Sequence, residues 1–213
     1  MILTLALCGY VIFRYMASKM PPMESKTPGI HPILFMNPSA AWMVSMIDNS
    51  AELEICLDQL SLSSRELVFI PVNDAQDPSI IGGGTHWSLL LFHRASNAFF
   101  HMDSVRSSSN NRSYAVNVAK NLYPVLHVLE APTGYSFFDA KSSTQSNGFD
   151  CGLYLVSNAE LVFNFFTAND ILLPVQLTDL QGALVAMYSQ TVRNKRSSLL
   201  SLVDELSTLN IIK

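Results

Sequence analysis

The spacing of hydrophobic positions changes along the chain, and each spacing predicts one kind of element. Apolar side chains recur at three- and four-residue intervals between Asp150 and Phe166, as on one face of a helix. By this pattern, helices are predicted over residues 2–18, 40–47, 51–60, 114–123, 150–166 and about 191–209, with one more that Thr178 begins. Short β-branched and aromatic runs predict strands over residues 66–73, 85–92 and 98–104.

Prolines, glycines and small polar residues predict where these elements end. Prolines crowd residues 21–38, which are expected to be largely irregular, and Ser39 is the expected N-cap of the helix over 40–47. Residues 73–84 form a predicted loop that ends in three glycines, and residues 134–149 mix strand and loop. Helices at both ends with strands between them predict an α+β fold.

Composition narrows the class of protein. The chain has 213 residues, of which 49% are hydrophobic and 14% charged, with a net charge of −4. These values fit one domain over residues 1–213 and exclude a disordered chain. The short basic run at residues 193–196 is expected to be a solvated helix face. A nucleic-acid partner is not expected, because binding phosphates needs clustered cations.

Cysteine usage and the apolar start suggest a compartment. Cys8, Cys56 and Cys151 form neither a disulfide framework nor a zinc-ligand cluster, so no metal site is predicted. A reducing compartment, the cytosol or nucleus, is expected. The apolar stretch over residues 1–13 is shorter than the roughly 20 residues that span a bilayer, which favours a core helix. A membrane-tethered form is the remoter alternative.

The predicted hairpin places a histidine beside an acid. If residues 93–96 form the turn, Phe92 lies opposite Asn97 and His86 lies opposite Asp103. Directly opposed side chains have Cβ atoms about 4.5–5.5 Å apart, so this carboxylate would orient the imidazole. His101 is the rival base, because it lies two residues before Asp103 on the same strand.

Cys151 lies where a helix is predicted to begin. Asp150 is the expected N-cap, and the N-terminal end of a helix favours an anion such as a thiolate. A nearby imidazolium strengthens that preference, and Gly152 leaves room for a substrate backbone. Cys8 and Cys56 lie in apolar helical patterns and are expected to be buried side chains without chemistry.

Acyl transfer by a thiolate also needs donors for the developing oxyanion. The backbone N–H of Cys151 is one candidate. The side-chain amides of Gln145 and Asn147 are two others, and their spacing to the cysteine does not choose between them.

Three segments, GGGTHWSLLLF, FFHMDS and QSNGFDCGLYL, resemble the signature segments of the Ulp or sentrin-specific cysteine proteases, particularly the deneddylase branch. The resemblance runs from about residue 10 to the end and is strong between residues 66 and 166. It implies a papain-like α+β fold with a central mixed sheet flanked by helices. It also implies His86 as general base, Asp103 as its orienting acid, Cys151 as nucleophile and Gln145 in the oxyanion hole.

The resemblance further implies how a substrate is held. Trp87 matches a residue that roofs a narrow tunnel for a Gly-Gly tail, whereas a core tryptophan is the alternative for that position. Asn73 and Asp74 match a segment that touches the modifier near its tail. A Trp-containing segment that usually precedes the first helix of the family has no counterpart, so the chain is expected to be a truncated form or to have lost a substrate clamp.

The predicted function is a thiol peptidase that cleaves after the C-terminal Gly-Gly of a ubiquitin-like modifier. The cullin modifier and its conjugates are the expected substrates, and the expected enzyme is a monomer that needs no cofactor. The alternatives are a SUMO-specific protease and a modifier-binding protein without activity.

Overall fold

The computed structural model describes residues 27–77, 83–105, 111–127, 134–186 and 201. The helix predicted over residues 2–18, the basic run at 193–196 and all but Ser201 of the helix predicted over 191–209 lie outside these ranges. Within them, no helix is both long enough and apolar enough to span a membrane.

The described strands form one mixed sheet in which sequence order is also spatial order. The strands are β1 (Ile33–Phe35), β2 (Leu67–Asn73), β3 (Trp87–His93), β4 (Ala98–Met102) and β5 (Ser136–Ala140). The β2–β3 and β3–β4 pairs are antiparallel, and the two edge strands pair in parallel with their neighbours. The short β1, in a segment predicted to be largely irregular, pairs in parallel with β2.

Helices cover both faces of this sheet. They are α1 (Pro38–Met46), α2 (Ser50–Leu57), α3 (Asn111–Leu122), α4 (Cys151–Thr167) and α5 (Leu177–Ala186). Buried side chains of β2, β3 and β4 alternate between two hydrophobic cores. One core packs under α4 and α5, and the other packs under α1, α2 and α3. The α+β fold with a central mixed sheet flanked by helices is therefore confirmed.

Two local predictions about helices are wrong. The N-cap of α1 is Asn37, whose Oδ1 accepts the Ser39 N–H at 2.8 Å, because Pro38 suits the first helical position and Ser39 already lies inside the helix. Cys56 is exposed, because the buried residues of α2 are Leu53 and Leu57 and residue 56 lies on the outer face. Cys8 lies outside the described residues.

The hairpin forms with a register two residues away from the prediction. His93 lies opposite Ala98 and Phe92 lies opposite Phe99, because the turn occupies residues 94–97 and not 93–96. Asn97, which tolerates the left-handed region, has φ +43° and its N–H donates to the Arg94 carbonyl. A shift of two residues preserves which face each side chain points to, so His86 and Asp103 still meet.

Candidate active site

The hairpin brings His86 and Asp103 together just beyond the ends of their strands. His86 precedes β3 by one residue and Asp103 follows β4 by one residue. The His86 Nε2 lies 2.6 Å from the Asp103 Oδ1, so the two form a hydrogen bond, although they are not directly opposed as predicted. The same Oδ1 accepts the Val105 N–H at 2.8 Å, which fixes the carboxylate.

Cys151 completes this group at the N-terminus of α4. The thiol is 1% exposed and makes a side-chain hydrogen bond with His86. Because the Nε2 of the imidazole is occupied by Asp103, the nitrogen left for the thiol is Nδ1. The three side chains thus form a chain of contacts from carboxylate to imidazole to sulfur.

The electrostatics of the group favour a protonated imidazole. Burial lowers the pKa of His86, but the hydrogen bond to Asp103, the hydrogen bond to Cys151 and the charges of both partners outweigh it. The net result raises the pKa of His86 to about 9. His86 therefore carries a proton at neutral pH.

His101, the rival base, is occupied elsewhere. Its Nε2 lies 3.0 Å from the Ser88 hydroxyl, and its Nδ1 lies 3.5 Å from the Asp139 carboxylate. Burial lowers the pKa of His101, with the nearby acids Asp103 and Asp139 only partly opposing it. His101 is a neutral, buried side chain, so the geometry favours His86.

The two amide candidates differ in how they are held. Asn147 forms a tight turn in which its Oδ1 accepts the backbone N–H groups of Phe149 and Asp150, and its Nδ2 donates to the Asp150 carboxylate. Gln145 is held at its Oε1 by the Ser104 hydroxyl at 2.8 Å, and its Nε2 donates to the Asn147 carbonyl. An amide nitrogen carries two protons, so one N–H of Gln145 remains for another acceptor.

Asp150 has the N-cap position that the sequence predicts, but its side chain makes no capping hydrogen bond. The carboxylate accepts from Asn147 instead, because the turn over residues 147–150 directs it back along the chain. The hydrogen bonds of this turn therefore hold the residues just before Cys151 in place.

Trp87 lies in β3, is partly buried and packs against the core under α4 and α5. This packing agrees with the alternative of a core tryptophan. The indole is also partly exposed next to His86, and its role as the roof of a tunnel for a Gly-Gly tail stays a prediction. Asn73 and Asp74 form hydrogen bonds with the main chain of Thr85 and His86. Their contact with a substrate stays a prediction.

Some residues that order the site gave no signal in the sequence. Ser142 donates to the Asp103 carbonyl at 2.8 Å. Asn111, the first residue of α3 on the other face of the sheet from α4, donates to the His86 carbonyl at 3.3 Å. Among the described residues no group of three or more histidine, cysteine or acidic side chains is arranged to hold a metal ion.

Residues 59–174 match the family model for the Ulp1 protease family, C-terminal catalytic domain. The chain belongs to the Ulp1 protease family. This match covers the sheet from β2 onward and all of the group around Cys151.

Curated relatives are named as sentrin-specific or NEDD8-specific proteases. The chain is 36% identical to the probable sentrin-specific protease 8 of Dictyostelium discoideum, over 60% of this chain and 53% of that protein. It is 33% identical to human sentrin-specific protease 8, over 70% of this chain and 71% of that protein. The NEDD8-specific protease 1 of Arabidopsis thaliana is 30% identical, over 64% of this chain and 58% of its own length. The chain thus matches only about half of the Dictyostelium relative.

Solved structures show the same fold. The yeast Ulp1 protease domain in complex with Smt3, the yeast ortholog of SUMO, aligns with a TM-score of 0.53 at 14% identity, covering 83% of this chain and 70% of that one. The Xanthomonas campestris effector XopD bound to ubiquitin aligns with a TM-score of 0.54 at 18% identity, covering 85% and 89%. The Ulp-type fold predicted from the sequence is confirmed.

Proposed function

We propose that the protein hydrolyses the acyl bond after the C-terminal Gly-Gly of a ubiquitin-like modifier, with NEDD8, the cullin modifier, as the preferred one. The single observation that carries the chemistry is the contact chain from Asp103 through His86 to Cys151. The relatives named NEDD8-specific protease 1 and NEDD8-specific protease 2 support the choice of modifier.

In this proposal the His86 imidazolium stabilises Cys151 as the attacking thiolate. The sulfur attacks the carbonyl carbon of the terminal glycine and forms a tetrahedral intermediate. The Cys151 backbone N–H and the remaining N–H of Gln145 donate to its oxyanion. Asp103 keeps the imidazole oriented and stabilises its charge.

The proton of His86 Nδ1 then passes to the leaving amine, the C–N bond breaks, and a thioester to Cys151 remains. His86, now neutral, takes a proton from an incoming water, whose oxygen attacks the thioester carbonyl. The C–S bond breaks, and the imidazolium–thiolate pair is restored. The modifier leaves as a carboxylic acid, which loses its proton to solvent. No cofactor enters this sequence of steps.

The direct test uses C-terminal fluorogenic amides of NEDD8, SUMO and ubiquitin, with Cys151→Ala as the control. We expect release of the fluorophore from the NEDD8 derivative at the highest kcat/KM and none from the Cys151→Ala variant. A preference for SUMO would overturn the choice of modifier but not the peptidase.

The second candidate is a modifier-binding protein without activity. It predicts that the intact chain binds NEDD8 while no fluorophore is released. That result would overturn the proposed hydrolysis.

A reducing compartment, cytosol or nucleus, belongs to the same proposal because the mechanism needs a free thiolate. Cell fractionation tests it, and recovery of the protein in a membrane pellet would favour the tethered alternative.

A further inference from the structure

The main chain of His86 lies just outside the regular sheet. The β2–β3 ladder ends where Asn73 lies opposite Trp87, one residue before His86 is reached. Residues at the end of a ladder lose the backbone hydrogen bonds that hold a strand, so their position depends on other groups. A general base in that position needs support from side chains.

Asn73 and Asp74, at the end of β2, give that support, one at the His86 carbonyl and the other at the His86 N–H. The Asp74 Oδ1 accepts the backbone N–H of His86 at 3.0 Å and that of Thr85 at 2.6 Å. The Asp74 Oδ2 accepts the Thr85 hydroxyl at 2.6 Å. The Asn73 Nδ2 donates to the His86 carbonyl at 2.9 Å, so both backbone polar groups of His86 are held by side chains.

The backbone of Gly84 fits closely against this arrangement. Gly84 has φ +84°, a conformation that glycine adopts at no steric cost. A Cβ on this residue would lie 2.1 Å from the Asn73 Oδ1, a distance that no side chain tolerates. Glycine at this position therefore lets Asn73 approach the chain just before His86.

The segment that carries Asp74 is itself anchored to α1 and α3. The Trp42 indole N–H of α1 donates to the Ala75 carbonyl at 3.2 Å, and the Gln76 amide donates to the Tyr114 hydroxyl of α3 at 2.6 Å. Ala75 also donates its backbone N–H to the Asn73 Oδ1 at 2.9 Å. The side chains that hold the His86 main chain therefore belong to a segment that α1 and α3 anchor.

The charge of Asp74 suits this role. Burial raises the pKa of Asp74, but the hydrogen bonds from the Thr85 hydroxyl and from the backbone of His86 and Thr85 outweigh it, and the pKa is lowered. The carboxylate is ionised at neutral pH, and hydrogen bonds to an ionised acceptor are stronger than neutral ones.

We propose that Asn73 and Asp74 are positioning residues that clamp the His86 main chain and so set the imidazole against Asp103 and Cys151. This inference rests on the proposed peptidase mechanism, and it gives the two side chains a role inside the protein and not at the substrate. A displacement of about 1 Å at a catalytic group costs on the order of 10²-fold in rate, so a clamp on the backbone of the base has kinetic consequences.

The test compares variants that remove individual contacts. Asp74→Asn removes the charge and the acceptor of the Thr85 hydroxyl, and Asn73→Asp removes the donor to the His86 carbonyl. Asp74→Ala removes all of the aspartate contacts. Asp170→Asn is the matched control, because the Asp170 carboxylate also accepts a backbone N–H, that of Leu172 at 2.9 Å. This contact lies away from the site: the neighbouring Ile171 carbonyl bonds His93, at the other end of β3 from His86.

The first measurement does not depend on a substrate. The rate at which iodoacetamide alkylates Cys151 is followed from pH 5 to 10. It is quantified on the Cys151 peptide by mass spectrometry, because Cys56 is a second, exposed thiol. We expect the two milder variants to lower the rate at pH 6 by about tenfold, since a displaced imidazolium stabilises less thiolate. The Asp170→Asn variant should keep the wild-type profile.

The second measurement separates positioning from substrate contact. We expect kcat on the NEDD8 amide to fall at least about tenfold, while the Kd for NEDD8 in a Cys151→Ala background changes less than twofold. A weakened Kd with an unchanged alkylation profile would assign the residues to substrate binding and overturn the proposal. Wild-type values in both measurements would overturn it as well.

Folding and the proposed function are controlled separately. Urea unfolding of each variant shows whether the fold persists, and if Asp74→Ala unfolds, the two milder variants decide the question. If the wild type hydrolyses no modifier, the proposed function fails while the alkylation profile still tests the clamp.

Discussion

At the scale of single residues, the central feature is the proton that His86 carries. Asp103 and Cys151 together raise the pKa of His86 to about 9, against the effect of burial. The active form in the proposed mechanism is the protonated imidazole beside a thiolate. Activity should therefore persist through neutral pH and decline as the pH rises through about 9.

Replacing Asp103 by Asn should move this alkaline limit. The hydrogen bond to Asp103 and its charge raise the pKa of His86, so Asp103→Asn should shift the alkaline limb of kcat/KM toward the ordinary value of 6.5. The rate at pH 7 should fall about 10²-fold. The measurement is a pH profile of fluorogenic hydrolysis.

Asp139→Asn is the control for that profile, because Asp139 contacts His101 and Arg112. Its alkaline limb should remain near 9. An Asp103→Asn enzyme with an unshifted limb would contradict the role given to the carboxylate.

Gln145 is the second residue whose chemistry is open to a direct test. Gln145→Glu keeps the size of the side chain but replaces an N–H donor with a negative charge, so kcat should fall about 10²-fold or more with KM little changed. Steady-state kinetics check this result. Asn169→Ala, which removes an exposed amide just beyond the C-terminal end of α4, should leave kcat unchanged. Equal kcat for Gln145→Glu and wild type would remove Gln145 from the oxyanion hole.

At the scale of elements, the hairpin shows which part of the site the sequence could predict. The alternation of apolar residues in β3 and β4 predicts which face each side chain points to. The exact register depends on whether His93 ends the strand or begins the turn. His93 is buried in the strand, where its Nε2 bonds the Ile171 carbonyl at 2.8 Å, a long-range contact that local patterns do not reveal. His86 and Asp103 meet without being directly opposed, because an error of two residues in the register preserves the face.

The loop before β3 offers a test at the same scale. Gly84→Ala introduces a Cβ that collides with Asn73 in a backbone conformation with positive φ, so we expect residues 84–86 to shift. The expected result is a loss of kcat of at least about tenfold, together with a lower rate of Cys151 alkylation.

Gly29→Ala is the matched control for backbone strain, because Gly29 has φ +78° and a Cβ there meets no atom within 4 Å. It should retain wild-type kcat. Full activity of Gly84→Ala would contradict the proposal that the position of Asn73 matters for the placement of His86.

At the scale of the whole molecule, two cores hold the sheet between helical layers and so fix the distance between β3 and α4. The N-terminus of α4 carries Cys151, and β3 follows His86, so this packing sets the sulfur against the imidazole. The sequence predicted both elements from their hydrophobic periods. It could not predict Asn111 or Ser142 as supports of the site, because their roles arise only from contacts between distant segments.

Phe100 tests the importance of the core between the sheet and α4. It is fully buried in β4 and stacks on Phe138 with ring centroids 5.5 Å apart. Phe100→Ala should lower the free energy of unfolding by about 3–5 kcal/mol, as measured by urea titration. Ile55→Ala, at an exposed position of α2, should change it by less than about 0.5 kcal/mol. Similar effects of the two substitutions would contradict the described core.

The most direct test of the account is covalent trapping of the nucleophile. NEDD8 that carries a C-terminal vinyl sulfone is incubated with the protein, and the modified residue is identified by mass spectrometry. The account predicts one adduct, on Cys151, that is absent from Cys151→Ala and strongly reduced in His86→Ala. An adduct that survives in Cys151→Ala, or that forms on Cys56, would contradict the assignment of Cys151 as the nucleophile.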